Sequence, residues 1–243
     1  MTLFRVTFAS DYITGAPDSI RVLVLEGSPE HRWCGPALEQ LHQTLTALAR
    51  EQPRPALVIA GEGSEWFCGG THNDALVDAA VSHSQLARLY SQAFASLRRY
   101  PALTAAAING QARDEGVALA LSCDFRMATD QARFGFDAPR LGRMPMGGST
   151  QLLPRLVGES VSKRMMLCAM EWDGAEALAG GLVDELSPSP VAVAIEWVAR
   201  ADGLNPEVVQ GVRQLVEHAR MRPLETGFAA ERDWQVAPDD HGL

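Results

Sequence analysis

Two segments of this chain place glycine and small polar residues directly after apolar runs, where main-chain N–H groups can hold negative charge. Residues 66–71 (WFCGGT) follow the apolar run 55–60, and residues 109–118 (NGQARDEGVA) follow the apolar run 103–108. A strand, a glycine turn and then a helix leave N–H groups unpaired at the start of the helix. Two such donors that converge on one oxygen would stabilise an oxyanion in a transition state. These segments therefore favour an enzyme.

The elements that must position these segments alternate between strand and helix. Short apolar runs predict strands, and apolar residues at helical spacing predict the helices between them. This order indicates parallel strands joined by right-handed crossovers. The elements expected up to residue 128 are strands at 4–8, 20–25, around Leu57, around Thr104 and at 125–128, and helices at 35–50, 82–99 and from Gly116.

The second half of the chain is predicted to be mostly helical. Pro188 and Pro190 mark a boundary, so we expect a core at 1–187 and a helical C-terminal region at 188–243. The polar tail from Val236 is expected to fray. The helices predicted after residue 150 lie at 151–156, 160–170, 174–179, 191–201 and 206–221.

Composition excludes several classes of partner. The 243 residues carry a net charge of −9, whereas binding to nucleic acid requires clustered cations. The four cysteines are widely spaced, so neither a metal site nor a disulfide framework is expected, and the free thiols suit a cytoplasmic protein. No apolar run is long enough to cross a membrane, and we expect no membrane partner.

The motifs taken together resemble the crotonase (enoyl-CoA hydratase/isomerase) superfamily over nearly the whole chain. The resemblance implies an α/β fold, a crotonase spiral of ββα units followed by a helical C-terminal oligomerisation region, in a homotrimer or a dimer of trimers. It also implies enolate chemistry on an acyl thioester, with coenzyme A or the phosphopantetheine of an acyl carrier protein carrying the substrate and no separate cofactor. The motifs are Gly69-Gly70, Asn109-Gly110, 123–128 (CDFRMA), 132–135 (ARFG), Leu141-Gly142, 145–150 (PMGGST) and 175–184 (AEALAGGLVD).

The resemblance assigns the oxyanion donors to the N–H groups of Gly70 and Glu115. A shift of one residue in the first turn would place Thr71 there instead of Gly70. Glu115 stands where the family usually has glycine, so its carboxylate either points away from the developing charge or carries a proton. The neighbours expected to contact the thioester are Cys68, Gly69, Thr71 and Gly116.

The general acid and base of the family's hydratases are replaced in this chain. The two glutamates of those enzymes match Ala118 and Ala138. Hydration needs one group to activate water and another to protonate carbon, and a methyl group can do neither. The usual hydration and double-bond shift are therefore disfavoured by the sequence.

Decarboxylation of a carboxylated enoyl thioester is slightly favoured, because loss of carbon dioxide generates the enolate without a base. The chain is similar here to polyketide-pathway decarboxylases in Gly69-Gly70-Thr71, in 116–119 (GVAL) and in 145–147 (PMG). It differs from that group because 77–79 (VDA) lacks their lysine, and their C-terminal histidine has no clear match. His72 could supply the proton instead.

Two alternatives remain open from the sequence. A hydratase or isomerase could use a relocated acid, for which Asp137, Asp114 and Glu115 are candidates if burial raises a carboxyl pKa. A non-catalytic subunit could keep the fold and bind an acyl thioester or act as a scaffold. Loss of both glutamates favours this second alternative, and retention of both glycine turns argues against it.

Overall fold

The computed structural model describes residues 4–27, 30–71, 82–201, 203–219 and 222–236. The chain forms two compact units, Met1–Arg200 and Ala201–Leu243. The division falls later than the boundary predicted at 187/188. The reason is helix α7 (Pro190–Ala199), which packs its buried side chains, including Ala194 and Ile195, onto the strands of the first unit.

A six-stranded sheet forms the centre of the first unit. Its strands follow the order β1-β2-β3-β5-β7-β10, and only β1 and β2 pair antiparallel. Nearly every side chain from β2 to β7 is buried, which suits the continuous apolar runs of a covered parallel sheet. The strands are β1 Phe4–Phe8, β2 Ile20–Leu25, β3 Ala56–Gly61, β5 Thr104–Ile108, β7 Phe125–Ala128 and β10 Glu185–Leu186.

A smaller sheet brings the two glycine turns together. Its strands are β4 Trp66–Cys68, β6 Gln111–Arg113, β8 Arg133–Gly135 and β9 Trp172–Asp173, in that order. β4, β6 and β8 run parallel, so the turns after Cys68 and Arg113 leave the same edge of the sheet. These short strands were not predicted, because a strand of two or three residues shows no periodicity.

The helices of the first unit agree with the predicted positions to within a few residues at each end. α1 and α2 pack on each other through one apolar face each. α3 begins within the second glycine turn, one residue before the predicted start at Gly116. The helices are α1 Gly35–Leu48, α2 His83–Arg98, α3 Glu115–Ala120, α4 Ser149–Val157, α5 Glu159–Leu167 and α6 Gly174–Ala179, with 3-10 turns at Ala9–Asp11 and Ala138–Leu141.

The second unit contains two described helices, α8 (Pro206–Ala219) and α9 (Leu224–Val236). They contact each other where Gly211 meets Trp234, since a Cβ at Gly211 would lie 2.9 Å from the indole ring. α9 was not predicted. Within the described parts of both units, no helix has the length and apolarity that crossing a membrane requires.

Candidate active site

The first glycine turn is anchored by the chain segment that precedes α1. The N–H of Gly69 donates to the carbonyl of Glu30, and the N–H of Trp33 donates to the carbonyl of Gly70, both at 2.7 Å. Gly70 has φ +83°, a left-handed conformation that favours glycine. The Gly69 N–H is therefore committed to the fold, and only the next N–H groups can face a ligand.

The N–H groups of Gly70 and Thr71 have different surroundings. The Gly70 N–H favours the thiolate form of Cys68 and so lowers the pKa of that thiol. Burial raises the pKa of Cys68 to about 12, which exceeds the opposite effect of that N–H. The Thr71 N–H has no hydrogen-bond partner among the described residues. The Thr71 N–H, the alternative donor that the sequence left open, is therefore available to a ligand.

The second turn is held by a buried aspartate. Asp114 has φ 47° and ψ −110°, an unusual conformation for a residue with a Cβ. Its Oδ1 accepts the N–H groups of Asp137 and Ala138, each at 2.9 Å. These bonds offset the backbone strain and tie the turn to the 3-10 segment at 138–141. The Glu115 N–H that follows makes no hydrogen bond to any described residue.

The two turns touch directly. A Cβ at Gly116 would lie 2.1 Å from the carbonyl oxygen of Cys68, and a Cβ at Gly70 would lie 3.2 Å from the carbonyl oxygen of Arg113. At Gly116 main chain meets main chain so closely that only glycine permits the approach. The contact holds the Thr71 and Glu115 N–H groups on neighbouring turns.

The Glu115 carboxylate folds back across the first turn instead of pointing to solvent. Its Oε2 accepts the Thr71 hydroxyl at 2.7 Å, and its Oε1 accepts the Met146 N–H at 3.2 Å. The Thr71 hydroxyl also meets the Tyr90 hydroxyl at 2.8 Å. Glu115 and Thr71 are each 2% exposed and Tyr90 is 0% exposed. An ionisable group thus lies buried at the centre of the site with a complete hydrogen-bond network.

Ala118 and Ala138, which match the family's two glutamates, are both buried. Ala118 is 0% exposed and Ala138 is 2% exposed. A Cβ at Gly147 would lie 2.9 Å from the Ala118 Cβ and 2.8 Å from the Phe94 ring. Both alanines flank the second turn, because Ala118 follows it by one turn of α3 and Ala138 donates its N–H to Asp114. Neither position offers a proton carrier.

The other residues singled out from the sequence have varied positions. Asp137 is half-buried and joins the site through its N–H, which donates to Asp114, whereas the Glu115 side chain is buried. His72 lies outside the described residues. Among the residues that are described, no three His, Cys, Asp or Glu side chains are placed to hold a metal ion.

Sequence reasoning missed Tyr90 and the main chain of Met146 as partners in this site. Tyr90 lies on the buried face of α2, where helical spacing places it in the core beside Leu86 and Phe94. That spacing is the only signal, and it cannot reveal a hydroxyl contact with a residue of another element.

The stability of the fold should depend on pH through Asp114. The pKa of Asp114 is raised to about 6 from an ordinary value of 3.8, chiefly by burial and also by the nearby Glu115 and Asp137 carboxylates, while the N–H groups of Ala138 and Asp137 act in the opposite direction. The folded protein therefore binds this proton more tightly than the unfolded chain does. The stabilising contribution is complete below about pH 4 and falls by up to about 3 kcal/mol as the pH rises to about 6.

Asp114→Asn tests this dependence, because an amide keeps an acceptor for both N–H groups and does not titrate. We expect urea unfolding at about pH 4 and about pH 7 to show that the variant gains stability relative to the parent chain as the pH rises. An equal difference at both pH values would contradict the assignment.

Known proteins of one family are similar to this chain over most of its length. The profile of the enoyl-CoA hydratase/isomerase family matches residues 34–241. The 2,3-dehydroadipyl-CoA hydratase of Escherichia coli K12 is 30% identical over 197 residues, which are 80% of this chain and 76% of that protein. The ethylmalonyl-CoA decarboxylase of Mus musculus is 27% identical over 206 residues, 82% of this chain and 64% of that one. This chain therefore spans less than two thirds of the decarboxylase.

Comparison with solved structures shows that the fold is shared as well. A structure of Pseudomonas aeruginosa DspI superposes with a TM-score of 0.89 at 30% identity, and the match covers 99% of this chain and 97% of that one.

Proposed function

The chain belongs to the enoyl-CoA hydratase/isomerase family, and we propose that it acts on an acyl thioester through an enolate whose proton is carried by Glu115. The observation that carries this proposal is the position of the Glu115 carboxylate. It lies buried at the junction of the two glycine turns, bonded to Thr71 and to Met146. A carboxyl group held in this way can accept or deliver a proton beside a bound thioester.

The oxyanion hole in this proposal is made of the Thr71 and Glu115 N–H groups. The contact of Gly116 with the Cys68 carbonyl fixes the two turns before substrate binds. Donors that are already oriented stabilise a developing enolate without reorganising during the reaction, and in a dry site this effect is large. The thioester oxygen would lie between the two N–H groups.

Decarboxylation is the reaction that the alanines favour. The bond between the leaving carboxylate and its carbon breaks, carbon dioxide departs, and the electron pair passes to the enolate oxygen between the two donors. The Glu115 carboxyl then delivers a proton to carbon and recovers it from solvent. This sequence needs one proton carrier and no base at Ala118 or Ala138. The similarity to ethylmalonyl-CoA decarboxylase supports the same reaction class.

Hydration or isomerisation is a second candidate, which the buried Glu115 also favours. A carboxylate beside the substrate could take a proton from water or from carbon and return it, as a relocated acid and base. The similarity to a dehydroadipyl-CoA hydratase supports this candidate.

Coenzyme A or an acyl carrier protein would carry the substrate in either reaction. The expected assembly is a homotrimer or a dimer of trimers, which light scattering would measure.

Mass spectrometry of two substrates in heavy-oxygen water separates the candidates. A glutaconyl-type thioester and a crotonyl thioester are each incubated with the protein. Loss of carbon dioxide without labelled oxygen would establish decarboxylation, whereas labelled oxygen in the crotonyl product would establish hydration. A shifted double bond without label would establish isomerisation. If neither substrate changes while thioester binding persists, the protein is a non-catalytic binding subunit.

Restoring a glutamate at position 118 should not restore hydration. In Ala118→Glu a carboxylate would enter the contact between Phe94 and Gly147. We expect a loss of about 3–5 kcal/mol in the free energy of unfolding, because the buried charge has no partner. Ala175→Glu is the matched control, since Ala175 is exposed in the first turn of α6, and there we expect a change within about 0.5 kcal/mol. Similar losses in the two variants would contradict this description of the site.

A further inference from the structure

A buried tyrosine that the proposed reaction does not use completes the hydrogen-bond network of the site. Tyr90 lies on α2, has no exposed surface and packs edge-on against Phe94, with ring centroids 5.4 Å apart. Its hydroxyl lies 2.8 Å from the Thr71 hydroxyl and is not bonded to any other described residue. Burial raises the pKa of Tyr90 well above its usual range, so the hydroxyl keeps its proton.

The direction of each hydrogen bond follows from the count of hydrogens. A threonine hydroxyl has one hydrogen. When Glu115 is ionised, Thr71 donates it to Glu115 Oε2 at 2.7 Å, since both oxygens of a carboxylate can only accept. The Tyr90 hydroxyl must therefore donate to Thr71 Oγ1. The Tyr90 and Thr71 hydroxyls thus form a chain in which both donate in the direction of the Glu115 carboxylate. In a buried environment each hydrogen bond of such a chain strengthens the next.

We propose that Tyr90 is a positioning residue that acts through Thr71 to hold the Glu115 carboxyl in its reactive orientation. The inference rests on the proposed function, because it assigns the purpose of a contact to the proton carrier named there. Without the Tyr90 hydroxyl, Oγ1 of Thr71 loses its donor and the threonine hydroxyl is free to rotate. The Glu115 carboxyl then loses one of its two described anchors for part of the time, and Met146 alone does not fix it.

Tyr90→Phe tests the role in catalysis, with Tyr100→Phe as the matched control. Tyr100 is also buried and donates its hydroxyl at 2.9 Å, to the carbonyl of Pro55 rather than to the site. We expect Tyr90→Phe to lower kcat by about 10- to 100-fold while KM changes less than about threefold, because a misplaced reacting group slows chemistry more than binding. Tyr100→Phe should leave both constants unchanged. Equal effects of the two variants, or an effect of Tyr90→Phe on KM alone, would overturn the proposal.

A thermal double-variant cycle tests the same link without any activity. Tyr90→Phe, Glu115→Ala and the double variant are melted side by side. We expect the double variant to lose less in Tm than the sum of the two single losses, because both changes break one network. Tyr100→Phe combined with Glu115→Ala should show additive losses.

The two readouts distinguish the failure of each proposal. Additive losses for Tyr90→Phe and Glu115→Ala would overturn the positioning role, whatever the kinetics show. Coupled losses in a chain that turns over no thioester would reject the proposed function and leave the Tyr90–Thr71–Glu115 network only as a structural element, which also overturns the positioning role.

Discussion

Glu115→Gln lowers kcat on the acyl thioester by about 10²- to 10⁴-fold, the usual contribution of a positioned acid or base. The amide fits the same space and its oxygen can still accept from Thr71, whereas its nitrogen cannot accept the Met146 N–H, so we expect the fold and the binding of thioester to persist with a modest loss of stability. The proton carrier is removed. The measurement is steady-state turnover of the substrate that the mass-spectrometric assay identifies, with thioester affinity determined in parallel.

Glu171→Gln is the control for this first result. Glu171 pairs with Arg113 at 2.6 Å, next to the second turn, but its side chain is 47% exposed. A variant there alters charge near the site without touching the proton carrier, and we expect kcat within about twofold of the parent chain. If Glu115→Gln retained full turnover, the proton would have to come from elsewhere, and Asp137 and His72 would be the next residues to change.

Gly116→Ala has a large expected effect on both stability and turnover. The added Cβ would lie 2.1 Å from the Cys68 carbonyl oxygen. Because this clash is with main-chain atoms, no flexible side chain can move aside to relieve it. We expect a loss of about 3 kcal/mol or more in the free energy of unfolding. We also expect the two turns to separate, so that any folded fraction loses kcat. Urea unfolding and turnover of the same preparation measure both effects.

Gly227→Ala provides the matched control for that substitution. Gly227 lies in α9, and a Cβ there meets no atom within 4 Å. Because alanine favours a helix over glycine, this variant should be neutral or more stable by up to about 1 kcal/mol. If Gly116→Ala were as stable as the control, the turns would not be in contact and the oxyanion hole would have to be built differently.

Much of the fold could be predicted from local sequence patterns. Strands β1, β2 and β7 and helix α6 have the predicted bounds, because each shows a strong period or a clear stop signal. The family resemblance is confirmed by the comparisons. Pro188 and Pro190, from which the boundary at 187/188 was predicted, lie at a turn and at the start of α7, because proline is typical of a helix start as well as of a domain end.

The centre of the site could not be predicted in the same way. Glu115 meets Thr71 from 44 positions away and Met146 from 31 positions away. No local sequence pattern encodes such contacts. From the sequence alone, a glutamate in a glycine turn is expected to be exposed to solvent. The choice between the Gly70 and Thr71 N–H groups likewise depends on what surrounds each N–H in the folded chain. Side-chain direction at a turn is set by tertiary packing rather than by spacing.

Hydrogen exchange at the α-carbon of a saturated acyl thioester tests the central claim most directly. Butyryl thioester incubated with the protein in heavy water can gain deuterium at this carbon only if an enolate forms and is reprotonated. We predict enzyme-dependent incorporation by the parent chain and none above the buffer rate by Glu115→Gln. No incorporation by the parent chain, or equal incorporation by both proteins, would contradict the account.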